Sequence, residues 1–427
     1  MNRYERYKDS GIPWLGKVPE HWEIKPLKFS INNISHKVES QLSNLRYFGL
    51  ENIESFTGRL LLDIELESEG IANEFQENDV LFGKLRPYLA KVHLSRLNGL
   101  VSTEALVFRA SNAVNPKFLF YFCVSSDFID AVNGTTFGSK MPRASWDDIG
   151  NFRMLIPSLK EQTAIAHYLD TKLDEIDALI DKQQTLLEKL AEQRTAVITH
   201  AVTKGLNPAA PMKNSGVEWL GDVPAHWDVS PFKLVMNSII DYRGKTPEKT
   251  NSGVFLITAR NIKNGIIDYT LSQEFIDEDN YEEVMRRGLP KLGQVLMTTE
   301  APLGEVAQID RTDVALAQRV LKFDGKKNKL DNRFLKYFIL SKAFQASLYK
   351  FATGSTALGI KSERLSYLKS LLPPITEQTA IADYLDQETA KIDRLCETVN
   401  QTIGRLKEYR TALITQAVTG KIKVTDE

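Results

Sequence analysis

The chain has 427 residues, 42% hydrophobic and 26% charged, with a formal net charge of −1. That length exceeds one ordinary domain, and the composition is that of a globular protein with real cores. It excludes a membrane-spanning class, which needs roughly 18–20 consecutive apolar residues, and with two isolated cysteines, Cys123 and Cys396, it excludes a disulfide framework or a clustered metal site.

The N-terminal stretch MNRYERYKDS has no apolar core of a signal peptide, so a cytoplasmic setting is expected. SGIPWLGKVPEHW follows from Ser10 to Trp22 and returns 205 residues later as SGVEWLGDVPAHW, from Ser215 to Trp227. EQTAIAHYLD (Glu161 to Asp170) returns as EQTAIADYLD (Glu377 to Asp386), and TAVITHAVT (Thr195 to Thr203) as TALITQAVT (Thr411 to Thr419), both displaced by 216. Solenoid repeats run at roughly 20–50 residues, so this is a duplication of whole domains. Residues 23–150 and 228–365 align poorly, apart from a shared register of Val80-Leu81 with Val295-Leu296. Duplication kept a frame and let the middles differ.

Those middles read as mixed α/β. Strands or strand-and-loop segments are expected at 101–110, 253–262 and 314–323. NPKFLFYFCVSSDFIDAV and DNRFLKYFILSKAFQASL read as equivalent amphipathic helices, started by Asn115-Pro116 and Asp331-Asn332. Each is followed by a Gly/Ser/Thr loop with basic residues, NGTTFGSKMPR and TGSTALGIKSER. Such loops suit backbone contacts to an anion, with Lys140, Arg143, Lys361 and Arg364 as phosphate partners. GKLRPYLAK adds Lys84, Arg86 and Tyr88, DYRGKTPEKT adds Arg243 and Lys245, and TARNIKNG adds Arg260 and Asn261. Arginine can read guanine and asparagine adenine, while a plain surface loop is the competing reading for each.

The last third of each copy is a long helix. From Leu169, positions 169, 173, 176, 180, 187, 190 and 197 are apolar, and the second copy runs from Leu385 through Ile392, Cys396, Val399, Ile403 and Leu406 to Leu413. This three-four alternation marks a coiled-coil seam of about four heptads. The expected contacts are Leu173, Ile176, Ile180, Leu187 and Leu190 with Ile392, Val399, Ile403 and Leu406. Ser158 is the expected N-cap, with Glu161 closing a capping box. Lys204-Gly205 and Pro208 stop the first helix. A helix of forty-odd residues makes a rod of roughly 60 Å, and two in one chain pack most simply as an antiparallel pair. Arg194 and Arg410 occupy equivalent seam places, where polar residues fix register.

Catalytic signatures are absent from the sequence. The GKT of RGKTP lacks the glycine a phosphate loop needs, since Ile239 stands there. No HExxH, GxSxG or methyltransferase motif occurs. His21 and His226, repeated beside tryptophan, suit packing or hydrogen bonding.

The duplicated SGxxWLGxVPxHW and EQTAIAxYLD, the helix exits AVTKG and AVTGK, and the single DYRGKTP resemble the specificity subunit of type I restriction-modification enzymes across essentially the whole chain. The resemblance implies an α+β, mixed α/β fold: two globular target-recognition domains separated by two long antiparallel helices forming a coiled coil, as a pseudo-twofold tandem repeat. The expected division is 1–157 and 206–373 for the recognition domains, with 158–205 and 374–427 for the spacer helices. It implies a non-catalytic subunit binding double-stranded DNA, each domain reading half of a split target. Two methylation subunits would dock on the helices, and restriction-motor subunits would join them. S-adenosylmethionine, ATP and magnesium would sit on those partners and no cofactor or metal on this chain, which would work in a bacterial or archaeal cytoplasm away from membranes. A near-neutral charge is unusual for a duplex binder and points to affinity shared with partner subunits. A protein-interaction scaffold with two binding modules on a coiled-coil spacer is the alternative.

Overall fold

Two long helices carry the repeated motifs, and the contact pattern divides the chain across both of them. In the computed structural model, residues 3–12, 15–66, 70–242, 246–354 and 358–424 are described. One unit comprises Met1–Gln184 with Asn400–Glu427, and the other Thr185–Val399. Each unit thus holds one globular domain with part of both long helices, whereas the sequence reading placed boundaries at the helix ends.

The first unit is built on a four-stranded antiparallel sheet: β1 (Ile31–Ile34), β2 (Val80–Gly83), β3 (Val92–Leu94) and β4 (Ala105–Ala110), in the order β1-β4-β2-β3. Val80, Leu81 and Phe82 in β2 are all buried, as expected of a strand covered on both faces. Helices α1 (Pro116–Val124) and α2 (Ser126–Asn133) follow, then α3 (Leu159–Lys204). A second small sheet pairs 99–102 in parallel with 47–48.

The second unit repeats this plan with β5 (Met236–Asp241), β6 (Val295–Thr299), β7 (Leu303–Gln308) and β8 (Val320–Gly325), in the order β5-β8-β6-β7. Helices α4 (Asn332–Leu340), α5 (Lys342–Lys350) and α6 (Ile375–Val418) complete it. Leu81 pairs with Val107 and Leu296 with Lys322, so the Val-Leu register extends to the full sheet order. The middles diverged in sequence while keeping the order of this four-stranded sheet; their smaller sheets differ in strand number and pairing.

Two expectations need correction. Each amphipathic segment is two helices rather than one, because Ser125 (ψ 144°) and Ser341 (ψ 145°) take extended backbone between them. Ser341 Oγ then caps α5 by accepting from the Phe344 N–H at 3.2 Å. The segments at 101–110, 253–262 and 314–323 are strand-and-loop segments as expected, with turns at 103–104, 258–261 and 317–319. At the start of α3, Ser158 Oγ does accept from the Glu161 N–H at 3.3 Å. The Glu161 carboxylate, however, serves residues of the opening segment instead of a capping box.

Among the seam residues, Leu173, Ile176, Ile180, Leu190, Ile392, Val399 and Ile403 are buried, while Leu187 and Leu406 are half-buried. The two seam arginines make matching contacts, one within each unit. In the first unit Arg410 of α6 donates to Asp177 of α3 at 3.2 Å and to the Phe56 carbonyl at 3.0 Å. In the second, Arg194 of α3 pairs with Asp393 of α6 and donates to the Asn264 carbonyl at 3.2 Å. The helices exchange roles between the two contacts, as an antiparallel pair with twofold sequence repetition requires. Each arginine also fastens a loop residue of left-handed backbone, Phe56 (φ 65°) or Asn264 (φ 52°), so it ties the globular domain to the pair.

Candidate nucleic-acid interface

The frame around the site is built from repeated motif residues. In the first unit the Trp22 indole N–H donates to Glu161 at 3.1 Å, with Tyr4 Oη at 2.7 Å and His21 Nε2 at 3.1 Å on the same carboxylate. In the second, Trp227 (3.1 Å) and His226 (2.8 Å) meet Glu377 in the same way. Both tryptophans are fully buried, so their N–H groups need such a partner. Burial and the adjoining carboxylate hold the Tyr4 phenol above its ordinary range.

The next motif residue, Gln162, accepts from the Asn115 N–H at 2.8 Å and donates to the Ala113 and Pro157 carbonyls. Gln378 does the same for Asp331, Lys329 and Pro373. Asp170 and Asp386 accept from Tyr121 and Tyr337, the tyrosines of α1 and α4. At the other helix end, Thr415 Oγ1 accepts from the Ser126 N–H at 3.1 Å and Thr199 Oγ1 from the Lys342 N–H at 2.9 Å. Gly420 (φ 68°) completes the seat, because a Cβ there would stand 2.4 Å from Pro19 Cδ. EQTAIAxYLD and the AVT exits are therefore the bracket that orients each globular domain.

A pair of loops meets at one end of each sheet, where the inner strands β2 and β6 finish. In the first unit Phe137 and Arg143 exchange backbone hydrogen bonds at 3.0 Å, the Ala144 N–H donates to the Lys84 carbonyl at 2.9 Å, and the Arg86 N–H to the Pro142 carbonyl at 2.8 Å. The loops of Lys84, Arg86 and Tyr88 and of Lys140 and Arg143 are thereby brought together. Arg86, Tyr88 and Lys140 are exposed and Lys84 is half-buried. Arg143 is engaged by the Glu104 carboxylate at 3.0 Å, which offsets its charge.

The second unit repeats the construction: Thr353 with Gly359, the Ile360 N–H on the Thr299 carbonyl at 3.0 Å, and the Thr299 N–H on the Arg319 carbonyl at 2.8 Å. Arg86 (φ 52°) and Ala301 (φ 48°) are matching left-handed residues, each followed by a proline. Non-glycine residues held there cost roughly 1–3 kcal/mol and concentrate at functional sites. The side chains differ between the two tips. The second carries an Arg319–Glu300 ion pair at 2.6 Å and an exposed Lys361 where the first has Lys84, Arg86 and Lys140. Arg364 donates to the Phe351 carbonyl at 3.2 Å and so supports the loop.

Two candidates stand elsewhere. Arg260 is exposed on the turn between 254–257 and 262–263. Asn261, expected from the sequence to read adenine, is completely buried and faces its own turn instead. Its Oδ1 accepts from the Thr258 N–H at 2.9 Å and its Nδ2 donates to the Asp268 and Ser272 carbonyls, each at 2.9 Å. Asn52 does the same in the first unit, accepting from the Gly49 N–H and donating to the Leu61 and Ile64 carbonyls. The missed signal was a short repeat, GLENI against TARNI. Asn52→Ala leaves one N–H and two carbonyls without this partner, and a loss of about 3 kcal/mol is expected in denaturant titration. A loss under about 1 kcal/mol would mean the turn holds itself. Arg243 and Lys245 lie outside the described residues. Among the described residues no group of three or more His, Cys, Asp or Glu side chains is placed to hold a metal ion, and no helix is long and apolar enough to cross a membrane.

Comparison with known proteins decides the family. The model of the type I restriction modification DNA specificity domain matches twice, at residues 69–189 and 224–405. The chain belongs to this specificity-domain family. The MjaVIII specificity subunit of Methanocaldococcus jannaschii is 25% identical over 425 residues, spanning 96% of this chain and 94% of the relative. The EcoKI specificity subunit of Escherichia coli is 21% identical, over 95% of this chain and 90% of its own. A chain from a solved type I R-M system, described for complex assembly and conformational transition, superposes with a TM-score of 0.71 at 18% identity, covering 95% of this chain and 99% of that one. The HsdS subunit from Thermoanaerobacter tengcongensis gives 0.53 at 18% identity, over 97% and 100% of the two chains. These superpositions establish the family fold along nearly the full length.

Proposed function

We propose that the chain is the DNA sequence-specificity subunit of a type I restriction-modification complex, each globular domain reading one half of a bipartite target. The observation that carries this reading is the pair of loop tips, alike in backbone and different in side chains, on a frame that is otherwise duplicated. Two different readers on one frame suit two different half-sites. The paired helices set the unread spacer and present matching surfaces on which two methylation subunits dock, with restriction-motor subunits joining the assembly in a bacterial or archaeal cytoplasm. The chain itself is non-catalytic, leaving S-adenosylmethionine, ATP and magnesium to those partners. Membership in the specificity family leaves the scaffold alternative without a supporting observation.

The basic tip supplies the test. In the complex reconstituted with methylation subunits, Arg86→Ala is expected to cost about 1–3 kcal/mol of discrimination at one base pair of the first unit's half-site. Lys140→Ala is expected to weaken binding evenly across sequences and to lower the salt slope by about one. Methylation of a randomised duplex pool reads the first effect and binding across a salt series the second. Relaxation in the other half-site, or none in either, would contradict the assignment.

A further inference from the structure

The second unit contains a buried lysine that the first unit lacks. Lys322 in β8 occupies the sheet position of Val107 in β4, and only 1% of its surface is exposed. A buried ammonium is costly unless its donors are used. Here Nζ donates to the Gly288 carbonyl at 3.1 Å and to the Leu289 carbonyl, and lies 5.8 Å from the centre of the Tyr242 ring. Burial, with Lys291 nearby and Asp324 opposing it, lowers the amine to about 8.

The pinned segment is Arg286-Arg287-Gly288-Leu289, and two further ties hold it. The Tyr242 hydroxyl donates to the Gly288 carbonyl and the Arg287 guanidinium to the Asp241 carbonyl. Gly288 (φ 148°) lies so close to β5 that a Cβ would come within 2.5 Å of Ile240 Cδ1. Arg286 is left exposed on this fixed backbone.

Arg286 lines a cleft of about 240 Å³ with Asn280, Glu283, Gln318 and Glu248. That volume is below the roughly 300–1,000 Å³ of small-molecule sites, so the cleft takes the edge of a ligand. Its lining mixes donors with carboxylate acceptors. Arg287 also lines the cleft, but its guanidinium donates to the Asp241 carbonyl. A bare phosphate would meet repulsion from Glu248 and Glu283, whereas a nucleobase edge offers both donors and acceptors.

We propose that this cleft is a base-reading subsite of the second domain, with Arg286 as the specificity residue and Lys322 as a positioning residue that never touches DNA. The proposal rests on the DNA-reading role given above. It places recognition in this unit beside the Arg286–Leu289 segment as well as at the loop tip.

The experiment uses the full chain reconstituted with methylation subunits and a duplex pool randomised through both half-sites. Arg286→Ala is expected to relax preference about ten- to a hundredfold at one position of the second unit's half-site. Lys322→Met is expected to relax that same position and no position of the other half-site. Tyr242→Phe, which removes a single tie, should give a smaller change there and serves if Lys322→Met does not fold. A merely structural lysine would lower thermal stability and leave the preference of the folded complex intact. Unchanged preference in Arg286→Ala, or an even loss across all sequences in the Lys322 and Tyr242 variants, overturns the proposal. Absence of any split motif for the unaltered complex would instead overturn the DNA-reading role itself.

Discussion

Replacing Ile403 by aspartate is expected to destabilise the first unit by about 3–5 kcal/mol, because it puts an unpaired carboxylate into the helix seam. Ile403 is 8% exposed and stands seven residues before Arg410, whose contacts with Asp177 and Phe56 fix the same stretch. Against a typical net stability of about 5–15 kcal/mol, a loss of this size opens the pair. Leu186→Asp is the control, since Leu186 is 41% exposed and a change there should stay within about 0.5 kcal/mol. Denaturant titration measures both. A second consequence concerns the target: a complex with an opened seam should accept several spacer lengths in a methylation series. A single accepted spacer in the folded Ile403→Asp complex would sink the idea that the helices act as a ruler.

The second large effect is expected at the tryptophan seats. Trp227→Ala removes a completely buried indole together with its hydrogen bond to Glu377, a loss of about 3–5 kcal/mol. The damage should stay in its own unit, because the bracket of Trp227, Glu377 and Gln378 closes on Asp331 and α4. Hydrogen exchange across the complex reads this directly, with faster exchange in the second unit and unchanged protection around Trp22 and Glu161. Trp22→Ala should give the mirror result. Equal acceleration in both units would show that the seats do not act separately.

The long helices were the legible part of this chain because the seam repeats over many turns and each motif occurs twice. Glu161, Gln162 and Asp170 each have counterparts in Glu377, Gln378 and Asp386 with equivalent partners, although the sequence reading assigned Glu161 a different task and the other two none. The opening WLGxVPxHW segments work as seats for the helix starts, through Trp22 and Trp227. The middles were harder for physical reasons. Strands of two to six residues, such as Tyr47–Phe48 and Ala105–Ala110, give little alternation to read. Ser125 and Ser341 break helices whose apolar pattern runs on without interruption.

Single side chains were the least legible. An amide next to an arginine, as in Arg260-Asn261, looks alike whether it reads a base or locks a turn, and only burial separates the two. Lys322 gave no signal, since a lysine in the strand VLKFDG reads as a solvent-facing position. The residues of the first unit's basic tip were named one by one, from separate loops. Their proximity comes from pairing between distant segments, Lys84 with Ala144 and Arg86 with Pro142, which local pattern does not encode.

One measurement addresses the central claim, that two independent readers share a duplicated frame. Residues 23–150 are exchanged for the corresponding domain of another family member, leaving Trp22, Glu161 and both long helices in place. Methylated adenines are then mapped across a host genome for the original and exchanged complexes. The predicted result is a split motif in both, with one half altered and the other half and the spacer unchanged. An undivided motif, or an exchange that alters both halves together, would contradict the account.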